Sequence, residues 1–230
     1  MQTKHIFALC AVAATCFSGA AFAQQNTIRF GFASIHPNSD ASDVSGPFTP
    51  SGISLDVRNK TTPIFSYLRE IDDQWDLEFC LGVPPTHDVA LKVNNSGLPG
   101  TARALDGQVG ARVRQVAPTV FANYKFLDKS SAWRPFVGVG VNYTRFDQGE
   151  STTQGNALNG GPTSLDLKDS WGLAVQAGVT YHINNEWSVN AALATAQVKT
   201  KLTTNTLGVI RTADIKFRPT VLSLSVGYSF

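Results

Sequence analysis

Apolar and polar residues alternate with a period of two along much of this chain. Between Trp171 and Tyr181, every second residue is apolar or aromatic, and the residues between them are glycine, alanine, glutamine or threonine. From Val137 to Thr144, valine and tyrosine alternate with glycine, asparagine and threonine. A period of two places successive side chains on opposite faces of a β-strand. The pattern therefore predicts extended strands with one apolar face and one polar face.

The same reading predicts eight strands along the chain, separated by turn-forming residues. They cover residues 27–35, 59–71, 75–83, 113–126, 134–146, 169–183, 187–199 and 215–230. The end of the last strand, 221–230, alternates leucine, valine and aromatic residues with serine and glycine. We expect this closing strand to pair with the first strand.

The two faces of the clearest strands differ in composition. The apolar face of 171–181 has an aromatic residue at each end, and its polar face carries small residues and an amide instead of charges. A soluble sandwich would expose a charged outer face to solvent. An apolar outer face with aromatic ends and a polar inner face is typical of a transmembrane barrel. After the amino-terminal leader, no stretch approaches the roughly 18 apolar residues of a spanning helix.

The lengths of the connections alternate as well. Short turns are predicted at 72–74, 127–133 and 184–186, whereas the connections at 36–58, 84–112, 147–168 and 200–214 are long and rich in Gly, Pro, Ser, Thr and Asn. We expect irregular backbone in these long stretches. Since lipid cannot satisfy an unpaired strand edge, the sheet must close on itself. The prediction is an all-β fold, an eight-stranded antiparallel transmembrane β-barrel with short periplasmic turns and long extracellular loops.

The amino terminus has the features of a secretory signal peptide. Lys4 precedes an apolar run, and Ala21-Phe22-Ala23 is a cleavage site of the small-x-small type. We predict a signal peptide over 1–23 and one barrel domain over 24–230, located in the outer membrane of a Gram-negative cell. Loss of Lys4 from the 19 basic residues leaves 18 against 17 acidic ones, so no nucleic-acid partner is expected. Cys80 is then the one cysteine left, which excludes a disulfide scaffold.

Several segments resemble a known family. Residues 134–144 read RPFVGVGVNYT, residues 167–172 read LKDSWG, and residues 117–120 read APTV. These segments are similar to strands of the outer-membrane protein W (OmpW) family. The resemblance implies a narrow hydrophobic passage, open to small apolar molecules and with possible release through the wall. It also implies possible phage or bacteriocin binding. At 82–89 the family histidine is kept as His87, but an aromatic residue of the family pattern is lost.

The polar faces of the predicted strands supply candidate residues for a ligand path. Glycine on an inward face has two interpretations. It leaves space for a ligand in the lumen, or it permits curvature and close approach of strands. Both readings apply to the inward positions of strands five and six. The predicted path consists of Gly138, Gly140, Asn142, Gly172, Ala174, Gln176, Gly178 and, from strand four, Phe121.

Three charged residues also fall on predicted inward positions, in the half of the barrel with the short turns. They are Arg29, Glu78 and Lys125. Because buried charges need partners, we predict an ion-pair plug formed by these three side chains.

Proline marks a candidate opening in the wall. Pro118 lies inside predicted strand four, where it removes a donor from the ladder. One reading is a seam that opens sideways, together with Pro84 and Pro85. The other is a local bulge satisfied by neighbouring groups.

Partners are expected at the rims and at the carboxyl terminus. Arg145, Lys199, Lys201 and Arg218 lie near predicted outer ends, where they could pair with lipopolysaccharide phosphates or be ordinary solvated charges. Tyr228 and Phe230 form an aromatic ending that we predict to be the signal read by the outer-membrane assembly machinery.

The function predicted from the sequence is passive passage of small hydrophobic or amphipathic molecules, without a cofactor or metal. The alternative is a plugged recognition barrel whose extracellular loops form a receptor or adhesion surface. His36 with Ser34 or Asp40 is a candidate group for an enzyme, but scattered residues of these types are common and no nucleophile elbow accompanies them. We therefore expect no enzymatic activity.

Overall fold

The structure, a computed structural model, describes residues 25–230. The predicted signal peptide over 1–23 lies outside the described residues. The strands are β1 (Asn26–His36), β2 (Ser39–Ala41), β3 (Ile53–Val57), β4 (Lys60–Glu70), β5 (Trp75–Gly82), β6 (Thr86–Val93), β7 (Val109–Val116), β8 (Thr119–Lys125), β9 (Trp133–Ser151), β10 (Thr163–Leu167), β11 (Ser170–His182), β12 (Trp187–Ala196), β13 (Val198–Thr206), β14 (Val209–Phe217) and β15 (Thr220–Ser229). Two short helices, α1 (Gly100–Arg103) and α2 (Thr153–Asn159), lie in the long connections.

Eight of these strands form a closed antiparallel barrel. Their order is β1, β4, β5, β8, β9, β11, β12 and β15, and β15 returns to β1. The closing pair runs in register from Thr27 opposite Ser229 to His36 opposite Thr220. The predicted fold class and the predicted pairing of the last strand with the first are both confirmed.

The alternation in the sequence sets which side chains face outward. On β15, Leu222, Leu224 and Val226 are exposed on the outer surface, while Ser225 and Ser229 are buried inside. On β11, Trp171 and other apolar side chains likewise face outward. Burial of the polar face, with exposure of the apolar face, is the arrangement that a lipid environment favours.

The short-turn end of the barrel is held by two turns of the same design. Asp72 Oδ1 accepts from the backbone N–H groups of Gln74 and Trp75, both at 2.8 Å. Asn184 Oδ1 accepts in the same way from the backbone of the equivalent turn before Trp187. Such side chains stabilise tight turns by capturing amides two and three residues on.

Aromatic pairs surround this end of the barrel on its outer surface. The ring centroids are 5.2 Å apart for Trp75 and Tyr124, 4.6 Å apart for Trp133 and Tyr181, and 5.1 Å apart for Trp187 and Tyr228. The predicted aromatic girdle is therefore built from pairs on neighbouring strands.

At the opposite end, which we call the mouth, the long connections carry strands of their own. The prediction of irregular backbone there holds for residues 46–52 and 94–99 and is wrong for most of the rest. A second set of pairings extends the barrel through β3, β6, β7, the end of β9, β10, β13, β14 and β2. β13 and β14 form a hairpin in register from Val198 opposite Phe217 to Thr206 opposite Val209. Threonine is favoured in β-strands, and residues 198–206 are rich in it. The prediction was wrong here because threonine was counted among the residues that indicate turns and loops.

Three predicted strands are also interrupted where they enter this extension. Predicted strand 113–126 is split into β7 and β8, predicted strand 187–199 ends within β13, and predicted strand 215–230 is split into β14 and β15. Two of the interruptions contain proline, Pro118 and Pro219, which cannot donate to a ladder. β9 alone continues unbroken through both levels, over 19 residues. Over residues 25–230, neither helix has the length and apolar character required to span a membrane.

Candidate functional site: an apolar cavity in the lumen

A cavity of about 200 Å³ occupies the middle and the mouth of the lumen. Its upper wall includes Leu202 and Ile215 from the β13–β14 hairpin, which pack in a buried cluster with Ala213. Small residues of β12, such as Ala192, line it lower down. The strands added at the mouth thus build most of the apolar wall, because their inward residues are leucine, isoleucine and valine.

The floor of the cavity is polar and charged. Glu78 Oε1 lies 3.6 Å from Arg29 Nη1, and both side chains are almost fully buried. Gln176 Nε2 donates to Glu78 Oε2 at 2.9 Å, and Asn123 Nδ2 donates to the same oxygen at 3.1 Å. On the far side, Arg29 Nη2 donates to Thr180 Oγ1 at 3.2 Å. These contacts connect β1, β5, β8 and β11 across the lumen.

The third residue of the predicted plug lies apart from the other two. Lys125 contacts Glu70 at 2.8 Å and Asp76 at 3.6 Å, and makes no ion pair with Glu78 among the described residues. Asn123 joins the two groups by donating to Asp76 at 2.8 Å as well as to Glu78. The predicted trio is therefore two linked clusters, because Asp76 and Glu70 lie closer to the lysine.

The lumen glycines leave little open space around them. A Cβ at Gly138 would overlap the Asn123 amide, and one at Gly178 would meet the ring of Phe136 at 2.6 Å. At Gly140 and Gly172, an added Cβ would overlap the backbone carbonyls of neighbouring chain segments. These four glycines therefore allow neighbouring segments to approach closely. They do not leave room for a ligand.

The other predicted lumen residues line the cavity itself. Phe121 and Ala174 are buried in its wall. Asn142 Nδ2 donates to Thr119 Oγ1 at 2.8 Å, and its Oδ1 accepts from Thr144 Oγ1 at 2.7 Å. Gln176 lies at the floor. Of the predicted path, these four side chains contact the open volume.

The barrel wall is interrupted beside the cavity. The β5–β8 ladder ends at Cys80 and Thr119, and the β6–β7 ladder begins at Thr86 and Arg114. Between them, in the described part of the chain, a single backbone hydrogen bond of 3.0 Å crosses the gap, from the N–H of Gln115. We call this interruption the wall gap. Three prolines flank it: Pro84 and Pro85 on one side and Pro118 on the other.

The cavity extends to the wall gap, because Gly82, Pro85 and Ala117 belong to its lining. Pro118 contributes less directly. Its carbonyl accepts from the backbone N–H of Tyr143 at 3.1 Å. In an antiparallel pair a residue directs its N–H and C=O to the same neighbour, so the donor that proline lacks would face β9 and not the gap.

The basic residues of the predicted rim face outward. Arg145, Lys199, Lys201 and Arg218 are exposed, and Lys199 lies directly opposite Lys216 in the β13–β14 ladder. Their pairing with lipopolysaccharide stays a prediction. Tyr228 and Phe230 also face outward, with ring centroids 6.4 Å apart.

A buried histidine lies in the wall of the cavity. His87, in the mouth extension, lines the cavity, and its Nδ1 lies 3.3 Å from the carbonyl oxygen of Arg58. Burial lowers the pKa of His87, so the ring is neutral at physiological pH. The sequence signal was the retained histidine at 82–89, although the residues that bury it come from other strands.

Comparison with known proteins decides the family. A model of the OmpW family matches residues 24–230. The chain belongs to the OmpW family. The OmpW-like segments at 117–120, 134–144 and 167–172 all lie within the match. The resemblance predicted from them is confirmed, and so is the outer-membrane location, because the matched relatives are outer-membrane proteins.

Two curated relatives and one solved structure illustrate the similarity. Outer membrane protein W of Vibrio cholerae serotype O1 is 30% identical over 223 residues, which cover 96% of each chain. The dibenzothiophene metabolism operon protein PahQ of Pseudomonas aeruginosa is 27% identical over 94% of each chain. The crystal structure of outer membrane protein OprG from P. aeruginosa is 30% identical, covers 90% of this chain and 95% of its own, and superposes with a TM-score of 0.78.

The family membership gives the barrel its orientation. In OmpW-type barrels, as in outer-membrane barrels generally, the short turns face the periplasm and the long connections face the outside. The mouth is then extracellular, and the Arg29–Glu78 floor lies in the periplasmic half.

Proposed function

We propose that the barrel is a passive pathway that takes small hydrophobic or amphipathic molecules from the extracellular mouth into the outer membrane. The observation that carries the proposal is an apolar cavity that ends below on a buried charged network and reaches the wall gap beside it. Selectivity would come from the shape and polarity of the lumen, with no energy coupling.

The size and lining of the cavity suit such solutes. An apolar cavity of about 150 Å³ is large enough to hold benzene in a protein interior. The lumen cavity, at about 200 Å³, is large enough for a one-ring or compact aliphatic molecule. Its walls at the level of Leu202 and Ile215 offer apolar contacts along the way.

The floor makes the route to the periplasm costly. An apolar solute moving further down would have to separate Glu78 from Arg29, Gln176 and Asn123. Breaking a buried ion pair costs several kcal/mol, since each charge is left without a partner. In the described part of the chain, one backbone hydrogen bond crosses the wall gap, where neighbouring parts of the wall have a continuous ladder. Sideways exit is therefore the path of lower cost.

The comparison with relatives supports the same class of solute. PahQ is named for an operon of dibenzothiophene metabolism, and dibenzothiophene is an apolar aromatic compound. A relative that belongs to such an operon is consistent with passage of apolar molecules through this barrel.

Filling the cavity tests the proposal. Ala192→Phe places a ring in the lumen, whereas Ala191→Phe, its neighbour on the lipid side of β12, adds the same volume outside. Cells that lack the native protein would express each variant, and uptake of radiolabelled toluene, an uncharged one-ring solute, would be followed. Heat-dependent gel mobility verifies folding of both variants.

We expect Ala192→Phe to reduce the protein-dependent rate of uptake several-fold and Ala191→Phe to leave it unchanged. If cells with wild-type protein, cells with Ala192→Phe and cells without the protein all take up the probe at the same rate, the pathway is rejected and the recognition barrel is favoured.

A further inference from the structure

A buried arginine lies at the extracellular end of the lumen. Arg211 is on β14, opposite Thr204 of β13, and 8% of its surface is exposed. This burial is not predicted from the sequence, because Arg211 lies in the stretch 200–214, which is predicted to be a long loop.

The contacts of Arg211 are all to neutral groups. Its Nε donates to Thr49 Oγ1 at 3.0 Å, and its Nη1 lies 3.4 Å from Thr206 Oγ1. Over residues 25–230, no carboxylate lies within 4 Å of its guanidinium. The other two buried arginines in the described part of the chain differ: Arg29 pairs with Glu78, and Arg134 donates to the backbone carbonyls of Asp73 and Leu127. A buried charge without a counter-charge is costly, and hydroxyl groups offset only part of that cost.

Arg211 borders a small pocket with apolar walls. The pocket encloses about 80 Å³, and Phe48, Ile53, Leu91 and Leu158 contribute to its lining. Thr204 also lines it, and its buried Oγ1 has no hydrogen-bond partner in the described part of the chain. No aspartate or glutamate side chain belongs to the lining.

The pocket adjoins the main cavity. Leu55, Leu165 and Leu202 line both volumes. A molecule with its polar head beside Arg211 would therefore place an apolar tail against these shared side chains, toward the lumen.

We infer that Arg211 holds the carboxylate of a small amphipathic acid at the entrance of the pathway. The inference rests on the proposed function and adds a substrate class to it. The guanidinium fork matches the two oxygens of a carboxylate, and its Nη groups have donors left over after the threonine contacts. Thr204 Oγ1 supplies a further hydroxyl within the same pocket. A neutral solute of the same shape would leave the charge unpaired.

Binding measurements on the purified, folded barrel test the inference. The probes are 2-naphthoate, its neutral analogue 2-naphthalenemethanol, and acetate, titrated by calorimetry in a non-ionic detergent. The variants are R211Q and R211K, with R145Q as the control because Arg145 is exposed on the outer face. All titrations use one detergent concentration, so that partitioning into micelles is common to every variant.

We expect wild type to bind naphthoate at least tenfold more tightly than naphthalenemethanol, and acetate only weakly because it has no apolar tail. R211Q should abolish the preference for naphthoate while leaving binding of naphthalenemethanol unchanged. R211K should keep part of the preference, and R145Q should keep all of it. If R211Q does not fold, wild type and R211K decide the question.

Two results would overturn the inference. One is equal affinity of wild type for naphthoate and naphthalenemethanol, and the other is an unchanged preference in R211Q. Either result leaves the pathway itself untouched, since that is tested by uptake of the uncharged probe. Conversely, binding of naphthoate at Arg211 without uptake of the uncharged probe would reject the pathway and leave the anion site in place.

Discussion

Gln176 on β11 donates a 2.9 Å hydrogen bond to the carboxylate of Glu78 on β5, although 98 positions in the sequence and two intervening barrel strands, β8 and β9, separate them. Glu78 in turn pairs with Arg29 on β1. These contacts join distant strands across the periplasmic half of the lumen. They also fix where the apolar cavity stops, and so determine the direction that a solute can take.

Removing the carboxylate should open and weaken the barrel. In Glu78→Ala, Arg29 is left buried without its anion, which should lower the free energy of unfolding by about 3 kcal/mol or more. Unfolding in guanidinium chloride and conductance in planar bilayers would measure the two effects. The matched control is Glu186→Ala, in an exposed periplasmic turn, which should change stability by less than about 0.5 kcal/mol. A Glu78→Ala barrel with wild-type stability and wild-type ion conductance would contradict the plug.

Pro118 offers a test of the wall gap. In Pro118→Ala, residue 118 gains an N–H directed at β9, where Tyr143 already donates to its carbonyl. The added bond should stabilise the barrel by about 1 kcal/mol and straighten the strand beside the gap. We expect slower uptake of an apolar probe in cells, whereas Pro162→Ala, at an exposed position near α2, should have no effect. Unchanged uptake in a folded Pro118→Ala protein would rule out a role for this side of the gap.

The last residue should matter for assembly. The backbone of Phe230 exchanges two hydrogen bonds with Asn26, at 2.8 and 3.0 Å, and its ring faces outward. Deleting Phe230 should reduce the amount of barrel in the outer membrane more than it reduces total synthesis. Phe230→Ala keeps both backbone bonds, so an equal defect in that variant assigns the effect to the ring. Normal surface levels after the deletion would refute the assembly signal.

An ion pair at the mouth predicts a response to acid. Arg114 on β7 binds Asp147 on β9 through two hydrogen bonds of 2.8 Å, and this contact lowers the pKa of the Asp147 carboxyl. A carboxyl whose pKa is lowered on folding stabilises the fold above its unfolded pKa of about 3.9, and that stabilisation is lost as the pH falls through the lower folded value.

Protection factors of the β7–β9 amides, obtained from hydrogen exchange at pH 6 and pH 3 after correction for the intrinsic rate at each pH, would measure this loss. Both side chains are partly exposed, so we expect a small local effect. Asp147→Asn should already show lower protection factors at pH 6 and little further decrease at pH 3. Asp166→Asn on β10 is the control, and the same acid response in Asp147→Asn as in wild type would contradict the assignment.

Much of the barrel could be predicted from local sequence. Alternation on β11 and β15 predicted which residues face lipid, because a period of two depends on the backbone of a single strand. The predicted pairing of the first and last strands followed from closure, since an edge cannot remain open in lipid. The extension at the mouth could not be predicted in this way. Its strands are rich in threonine and are interrupted by turns, and their pairing partners are distant in sequence.

The candidate site shows the same division. The sequence correctly predicted that Arg29 and Glu78 face inward, but it also predicted Lys125 to be part of the same ion-pair cluster. One reading of the lumen glycines was that they leave space for a ligand. Partner choice depended on the distances from Lys125 to Glu70 and Asp76, which the strand pattern alone does not supply. The burial of Arg211 depended on Thr49, in the connection between β2 and β3, and on Thr206 of β13. The sequence by itself determined the strands, their inward and outward faces and the closure of the barrel, because these follow from local periodicity and from the lipid environment. Only the tertiary structure decided the floor, the wall gap and the buried arginine, because each arises where distant segments meet at a fixed register.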